Sequence, residues 1–225
     1  WLFRMAKGGV SPNATSFTSV INCHAKLGDV EGAVAWLERM DVCEVFPDVV
    51  AYTAVIDSCV RLRDASEAAR WLDQMIRRQI EPDDFAYNAV LDGYARSGDM
   101  SGAAHCLDQM QEASLTPNVV SFNIVIGGYA RVGQAGVAEQ WLKKMLSAEL
   151  QPDNVSYNGV IYAYAKLGNV DAASRWMLRM TESQVVPDVA SYTGIINACA
   201  KAKEAPAAAE WLEHMLLIQV DPDEM

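Results

Sequence analysis

Apolar side chains recur along this chain with the spacing of α-helices, and the whole pattern repeats every 35 residues. Between Phe85 and Arg96 the apolar residues lie three and four positions apart, which is helical spacing and not the alternation of a strand. This segment is followed by Gly98, which suits the left-handed residue that closes a helix, and by Asp99, which suits the N-cap of a second helix. Each 35-residue unit therefore predicts two helices joined by a tight turn.

Three columns of residues keep this register without an insertion or a deletion. All six tryptophans share one column, seven of the ten methionines a second, and seven of the eight prolines a third. The tryptophan column holds Trp1, Trp36, Trp71, Trp141, Trp176 and Trp211, with Cys106 in the one vacant place. The proline column holds Pro12, Pro47, Pro82, Pro117, Pro152, Pro187 and Pro222. The chain is therefore a tandem repeat.

The proline column sets the boundaries of the predicted repeats. With position 1 placed two residues after each proline, six complete repeats span residues 14–48, 49–83, 84–118, 119–153, 154–188 and 189–223. Residues 1–13 then form the C-terminal part of a preceding repeat, and residues 224–225 form the start of a following one. Because neither end shows the polar cap that usually closes a stacked array, we expect a longer array.

The same pattern predicts which surfaces of a repeat are buried. Positions 4, 7, 8 and 11 of the first helix are mainly apolar and lie on one face. Position 20, in the second helix, is always alanine, so a neighbouring helix can approach closely. The proline column ends the second helix, because the residue before a proline disfavours the helical conformation. The predicted fold is all-α, an α-solenoid of stacked helical hairpins with a concave face.

Positions 2, 5, 9 and 13 lie on the opposite face of the first helix, where burial does not explain a restricted choice of residue. Position 5 is nevertheless always Thr or Asn, and its members are Thr18, Thr53, Asn88, Asn123, Asn158 and Thr193. Position 13 is always Lys or Arg, and its members are Lys26, Arg61, Arg96, Arg131, Lys166 and Lys201. Such a basic stripe fits the repeating negative charge of a nucleic-acid backbone. Its alternative role is to complement the dipole at the end of each first helix.

The last position of each repeat, position 35, is always Asp or Asn. Its members are Asp48, Asp83, Asn118, Asp153, Asp188 and Asp223. An Asp or Asn after proline is ordinary turn chemistry and can cap the next helix. That role does not explain why positions 5 and 35 both vary between a few chemically distinct side chains. The two columns are therefore candidates for ligand selection.

Composition narrows the class of function. The chain has 225 residues with 29 acidic and 18 basic side chains, a net charge of −11, which argues against coating nucleic acid by bulk charge. At 51% hydrophobic residues it is too apolar for a disordered acidic tail. No apolar run approaches the roughly 18 residues of a membrane span, so we expect no membrane insertion.

Catalytic and metal-binding patterns are weak. The histidines His24, His105 and His214 occupy different columns of distant repeats, so a shared metal or catalytic site is not expected. Gly127 and Gly133 are not followed by the Lys-Ser/Thr of a phosphate-binding loop. The five cysteines form no CxxC pair, and we expect reduced thiols that act as small core hydrophobes. We predict no enzymatic activity, no metal and no cofactor.

The repeat resembles the pentatricopeptide repeat family. The segments from Val119 to Arg131 and from Leu150 to Asp153 match its 35-residue motif closely, and the resemblance covers essentially the whole chain. The tetratricopeptide repeat is a distant second, because it has 34 residues and lacks the Pro-Asp ending. All six units resemble the plain P-type repeat. The resemblance implies a right-handed superhelix that binds single-stranded RNA at one base per repeat, with the protein's N-to-C direction running 5′ to 3′.

The resemblance also implies a role for each restricted column: positions 5 and 35 choose the base, position 2 side chains sandwich it, and the basic column contacts phosphates. Thr18 with Asp48, Thr53 with Asp83, and Thr193 with Asp223 imply G. Asn123 with Asp153 and Asn158 with Asp188 imply U, while Asn88 with Asn118 implies a pyrimidine, C over U. The implied site is 5′-GG(C/U)UUG-3′. The position 2 residues are Thr15, Val50, Phe85, Val120, Val155 and Ala190, of which Thr15 and Ala190 depart most from the family's usual valine.

Two functions remain open at this point. The first is a sequence-selective scaffold for single-stranded RNA that acts in RNA stability, processing or translation in a mitochondrion or plastid, where the family mainly works. The alternative is a solenoid that holds the proteins of a large organellar complex together, with base-selecting positions that are inherited but unused. The acidic charge balance favours this alternative.

Overall fold

The computed structural model describes residues 12–217, and the regular secondary structure in this part of the chain is entirely α-helical. Loops of two or three residues alternate with loops of six residues. The twelve helices are α1 (Ala14–Leu27), α2 (Val30–Val42), α3 (Val49–Arg61), α4 (Ala65–Arg77), α5 (Asp84–Ser97), α6 (Met100–Glu112), α7 (Val119–Arg131), α8 (Ala135–Ser147), α9 (Asn154–Lys166), α10 (Val170–Glu182), α11 (Val189–Ala202) and α12 (Ala205–Leu217). The all-α prediction is confirmed. Asp223 and the segments 1–11 and 218–225 lie outside the described residues.

The chain divides into two compact units, Trp1–Thr116 and Pro117–Met225. In the first unit, α1, α3 and α5 pack side by side, and α2 and α4 each pack against the first helix of their own and of the next repeat. In the second unit, α7, α9 and α11 pack in the same way, and α8 and α10 bridge them. Each unit is thus a two-layered stack of helical hairpins, which is the predicted solenoid arrangement.

Turn chemistry explains why the helices end where they do. Gly98 closes α5 with φ of 82°, in the left-handed region that favours glycine. Asp99 then caps α6, since its Oδ1 accepts a hydrogen bond of 2.9 Å from the N–H of Gly102. Both features match the prediction from the sequence. At the corresponding turn of the next repeat, Gln134 precedes α8 but makes no side-chain cap hydrogen bond.

The core of five of the six repeats centres on an aromatic pair between the two helices. The ring at position 4 lies against the tryptophan, with centroid distances of 6.3 Å for Tyr52 and Trp71 and 6.3 Å for Tyr157 and Trp176. In the third repeat Cys106 replaces the tryptophan and is buried beside Tyr87, its Sγ lying 3.7 Å from the Tyr87 carbonyl oxygen. The methionine column is completely buried from Met40 to Met215, which supports the predicted small-and-large packing.

The cysteines divide into two groups. Cys59, Cys106 and Cys199 are buried, as expected for small core hydrophobes. Cys23 and Cys43 are exposed, so the expectation of core burial is wrong for these two residues. Cys23 is two residues from Ala25, which is buried in the core; an advance of two residues rotates a helix by about 200°, so Cys23 lies on the opposite face.

Candidate nucleic-acid interface

The side chains at position 2 form an exposed row near the beginning of each first helix. All six residues of this column are exposed, including four large apolar side chains. The exposed fractions are 55% for Val50, 77% for Phe85, 54% for Val120 and 61% for Val155. A repeated apolar side chain held in solvent offers a surface on which the flat face of a base can pack.

In the second unit, the residues that the sequence singles out line one groove. It is an open groove of about 810 Å³ along α7, α9 and α11. Three position 5 side chains, two position 2 side chains, one position 35 side chain and one basic residue lie on its wall: Asn123, Asn158, Thr193, Val155, Ala190, Asp188 and Arg131. Residues from four separate columns of the repeat therefore meet on a single surface.

Positions 5 and 35 are in direct contact in the fourth and fifth repeats. The Asn123 Nδ2 donates a hydrogen bond of 3.0 Å to Asp153 Oδ1. The Asn158 Nδ2 donates to Asp188 Oδ1 over the same distance, 3.0 Å. In both repeats, two residues that are 30 positions apart in sequence thus form one hydrogen-bonded polar unit.

Position 35 is also the N-cap of the next first helix. The six members of this column in the described chain, Asn13, Asp48, Asp83, Asn118, Asp153 and Asp188, each accept a hydrogen bond from the backbone N–H three residues later. The capping role that the turn chemistry suggested is therefore present throughout. For Asp153, the described hydrogen bonds to its carboxylate all involve Oδ1.

The carboxylates of Asp153 and Asp188 stay ionised at neutral pH. Burial raises the pKa of Asp153, but hydrogen bonds from the backbone and hydroxyl of Ser156 and from the Asn123 amide outweigh it, so the pKa lies below its ordinary value. The pKa of Asp188 is lowered by the same balance, with Ser191, Asn158 and Asn154 as donors. At neutral pH both groups act as hydrogen-bond acceptors only.

The Thr–Asp pairs of the first unit are built differently. Thr18 is buried, and its Oγ1 has no hydrogen-bond partner among the described residues. Thr53 Oγ1 donates a hydrogen bond of 2.8 Å to the carbonyl oxygen of Val49 in its own helix. Asp48 accepts the cap bond from the Ala51 N–H at 2.9 Å. Of the two remaining predicted pairs, Asn88 belongs to the first unit and Asn118 to the second, while Asp223, the predicted partner of Thr193, lies outside the described residues.

Two lysines of the basic column contact the C-terminal end of the first helix in the preceding repeat. Lys166 Nζ donates a hydrogen bond of 2.8 Å to the carbonyl oxygen of Arg131, and Lys201 Nζ donates one of 3.1 Å to the carbonyl oxygen of Lys166. In the first unit, Arg61 and Arg96 instead form ion pairs within their own helices. All members except the half-buried Lys166 are exposed. An ammonium group has three donors, so a lysine that binds a carbonyl can also bind a phosphate.

Protein-family models match the repeats along nearly the whole described chain. The model of the PPR repeat family matches residues 12–61, 47–88, 82–131, 117–166 and 152–201, and the model of a single PPR repeat matches residues 190–219. The chain belongs to the pentatricopeptide repeat (PPR) family. Comparison with curated protein sequences gave no match.

Solved structures of PPR proteins share the fold. The crystal structure of PPR10 from maize is 28% identical with a TM-score of 0.75, and PPR10 in complex with an 18-nt psaJ RNA element is 25% identical with a TM-score of 0.80. Each match covers 98% of this chain and 32% of PPR10, so this chain spans about a third of that protein. The PPR domain of Arabidopsis thaliana protein-only RNase P 1, solved in complex with tRNA, is 22% identical with a TM-score of 0.60, covering 73% of this chain and 87% of that one.

Three features of the first helices of this PPR chain escaped the sequence analysis. Tyr162 at position 9 is 49% exposed on the groove wall, and Lys166 Nζ lies 5.8 Å from its ring centroid. Asp57 and Asp92, also at position 9, pair with arginines of the basic column. Ser156 at position 3 contacts Asn123 of the preceding repeat. The signal for the carboxylates was available, because Asp four residues before Arg predicts an ion pair on a helix.

Among the residues that the structure describes, no cluster of His, Cys, Asp and Glu side chains could hold a metal ion. None of the described helices combines the length and apolarity needed to cross a membrane.

Proposed function

We propose that this PPR chain binds single-stranded RNA selectively, at one base per repeat and without catalysis. The observation that carries the proposal is the groove of the second unit, where Asn–Asp pairs in direct contact lie beside exposed position 2 side chains. The complexes of PPR10 with an RNA element and of a PPR domain with tRNA support an RNA ligand for this fold. The family's main sites of action, mitochondria and plastids, are the proposed location.

The proposed base code follows the chemistry of positions 5 and 35. An ionised Asp only accepts hydrogen bonds, so it suits U and G, whose ring nitrogens carry an N–H. An Asn at position 35 can donate to the unprotonated N3 of C. An Asn at position 5 both donates to and accepts from a pyrimidine edge, whereas the shorter Thr leaves room for a purine. Read from the first repeat to the sixth, the proposed site is 5′-GG(C/U)UUG-3′.

Position 2 and the basic column complete the proposed interface. Val50, Val120, Val155 and Phe85 would hold the bases by apolar contact and stacking, which tolerates any base and therefore adds affinity more than selectivity. Thr15 and Ala190 offer less surface, so the first and sixth bases should be held less tightly. The exposed members of the basic column would contact phosphates.

Equilibrium binding to an RNA that contains GGCUUG, beside a scrambled RNA of equal composition, tests this proposal. We expect tighter binding of the GGCUUG RNA at every salt concentration, with an affinity for both RNAs that falls as salt rises. Equal affinity for the two RNAs would reject selective recognition by this chain. The corresponding duplex should bind weakly, because its bases are not exposed for stacking.

A protein-binding scaffold is the second candidate, and two observations favour it. The net charge is −11, and Phe46 is 90% exposed in the loop between α2 and α3. If neither RNA binds, this candidate takes precedence. Phe46→Ser should then weaken the binding of a protein partner, while leaving any RNA affinity unchanged.

A further inference from the structure

The serines at position 3 of the second unit contact the position 5 side chain of the preceding repeat. Ser156 Oγ lies 2.6 Å from Asn123 Oδ1, and Ser191 Oγ lies 2.6 Å from Asn158 Oδ1. Both serines are fully buried, with an exposed fraction of 0%. Of the two oxygens in each contact only the serine hydroxyl carries a hydrogen, so each asparagine accepts a hydrogen bond from the repeat that follows it.

Each serine hydroxyl is itself held in place by the helix cap. The backbone N–H of Asp153 donates 3.1 Å to Ser156 Oγ, and that of Asp188 donates 3.2 Å to Ser191 Oγ. The hydroxyl proton can reach two oxygens, but Asp153 Oδ1 at 2.9 Å already accepts from the Ser156 N–H and the Asn123 amide. The Ser156 hydroxyl therefore donates its proton to Asn123 Oδ1, the nearer of the two oxygens.

These contacts fix the orientation of the asparagine amide. With Oδ1 against the serine hydroxyl and Nδ2 against the carboxylate, a flipped amide would place an oxygen against the carboxylate Oδ1 of Asp153. That arrangement is repulsive, so one orientation is held. The second Nδ2 hydrogen and the second lone pair of Oδ1 remain for a ligand. One donor and one acceptor in fixed places complement the N3–H and adjacent carbonyl of uracil.

Positions 3 and 5 change together along the chain. Every Asn at position 5 is followed 33 residues later by Ser, in the pairs Asn88 and Ser121, Asn123 and Ser156, and Asn158 and Ser191. Every Thr whose follower is within the chain is followed by Ala, in the pairs Thr18 and Ala51, and Thr53 and Ala86. Alanine offers no hydroxyl, which agrees with the partnerless Thr18 Oγ1 and with the Thr53 hydroxyl bonding to its own helix.

We propose that Ser156 and Ser191 are positioning residues for base selection, each orienting the Asn of the preceding repeat so that a base is read by three side chains drawn from two repeats. Ala51 and Ala86 mark the alternative state, in which Thr is used without support from the next repeat. The proposal rests on the proposed function. It makes the third position of one repeat a specificity determinant for the repeat before it.

Ser156→Ala in the otherwise intact chain tests the proposal at the fourth base. We expect the preference for U over C at that base to fall about fivefold or more, because an unsupported amide can turn to present either edge. Ser156→Thr keeps a hydroxyl and should retain the preference. The alanine variant should fold, because Ala51 and Ala86 occupy the same position with exposed fractions of 0%.

Ser58→Ala is the matched control for loss of a buried hydroxyl. Ser58 is also 0% exposed, and its Oγ donates 2.7 Å to the Val55 carbonyl within one helix. A purely structural role for Ser156 predicts the same base preference in Ser156→Ala as in Ser58→Ala and wild type. That result would overturn the proposal while leaving RNA binding intact. A wild-type chain that does not distinguish GGCUUG from its scrambled form would instead overturn both proposals.

The reverse exchange in the first unit gives a second test. Thr53→Asn alone should move the second base only partly from G towards U, because Ala86 cannot orient the new amide. Thr53→Asn combined with Ala86→Ser should complete the change, whereas Ala86→Ser alone should change the base preference little. Equal preferences in Thr53→Asn and the double variant would contradict the coupling between positions 3 and 5.

Discussion

The two units of this PPR chain use the same helical hairpins and fill the groove face with different chemistry. In the first unit, position 9 carries Asp57 and Asp92, whose carboxylates pair with arginines of the basic column at 3.3 Å and 2.6 Å. In the second unit, position 9 carries Gly127, Tyr162 and Asn197, all on the groove wall. Two of the three basic-column residues of the first unit are therefore paired with a carboxylate of the same helix, whereas the first helices of the second unit carry no carboxylate.

The position 35 carboxylates also make more side-chain hydrogen bonds in the second unit than in the first. Asp153 and Asp188 of the second unit each combine the helix cap with bonds from an asparagine and a serine. Among the described contacts, the Asp48 carboxylate of the first unit accepts the cap bond only. The same column thus serves mainly as a cap in one unit and as part of a wider network in the other. A repeat can keep its fold while its groove face changes, because the two depend on opposite faces of one helix.

The largest expected effect comes from reversing charge in the second unit. Arg131→Glu combined with Lys201→Glu should weaken the binding of every single-stranded RNA about tenfold or more, because both are exposed members of the basic column with no carboxylate in their own helix. The slope of log affinity against log salt should become shallower by about 0.7 for each lost phosphate contact. The control is Lys144→Glu with Arg179→Glu, which makes the same net change on second helices. Equal losses in the two double variants would show that total charge matters and the stripe does not.

Neutralising the position 9 carboxylates of the first unit should leave its arginines unpaired, as the basic residues of the second unit are. Asp57→Asn with Asp92→Asn releases Arg61 and Arg96, and we expect RNA affinity to rise about threefold with a steeper salt dependence. Exposed surface ion pairs contribute little to folding, so stability should change by less than about 1 kcal/mol. Filter binding at several salt concentrations measures the effect, with Glu38→Gln and Asp108→Asn on second helices as the control. Unchanged affinity would mean that the first unit does not bind phosphates through these arginines.

Removing the N-cap carboxylate should lower the free energy of unfolding more in the second unit than in the first. We expect Asp48→Ala to lower the free energy of unfolding by about 1 kcal/mol and Asp153→Ala by about 2 kcal/mol, since Asp153 also loses bonds to Asn123 and Ser156. Urea unfolding measures both, and each variant serves as the control for the other. An equal loss of unfolding free energy in the two variants would contradict a stabilising role for the Asp153 hydrogen bonds to Asn123 and Ser156.

The stability that Asp153 adds should depend on pH with a defined sign. Its pKa is lowered in the folded chain, so its contribution is present above the unfolded pKa of about 3.9 and is lost as pH falls through the folded value. The difference between wild type and Asp153→Ala should therefore be constant from about pH 5 to pH 8 and shrink below about pH 4. A difference that persists undiminished under acid conditions would contradict an ionised acceptor.

The smallest effect concerns thiol reactivity, which also divides the units. Cys23 and Cys43 are exposed and lie in the first unit, so two thiols should react rapidly with a disulfide reagent at pH 8. Burial raises the pKa of Cys59 to about 11 and that of Cys106 to about 12, and these should react only on unfolding. Mass spectrometry identifies the labelled residues. Rapid labelling of Cys199, the one cysteine of the second unit, would contradict its burial.

The fold followed from the sequence because its determinants are local and repeated. The 35-residue columns of Trp, Met and Pro, with the Gly98 and Asp99 turn, predicted helices and their ends without knowledge of distant contacts. The groove face was predicted in part, because restricted residue choice on a solvent-facing helix side pointed to positions 5 and 13. A single sequence could not show which atoms meet across a repeat boundary.

The contacts of the basic column and of position 3 illustrate what was missing. Lys166 and Lys201 donate to carbonyl oxygens at the end of the first helix of the preceding repeat, 35 residues earlier in the sequence, and this contact depends on how the hairpins stack. The serine contact to Asn123 likewise needs the register between α7 and α9.

The most direct test of one-base-per-repeat recognition transplants the Thr–Ala combination of the first unit into the second. Affinities are measured for four RNAs, 5′-GGCNUG-3′, that differ only at the fourth base, with wild type and with Asn123→Thr combined with Ser156→Ala. The account predicts that wild type binds the RNA with U most tightly and that the variant binds the RNA with G most tightly. The same order of the four affinities in both proteins would contradict it.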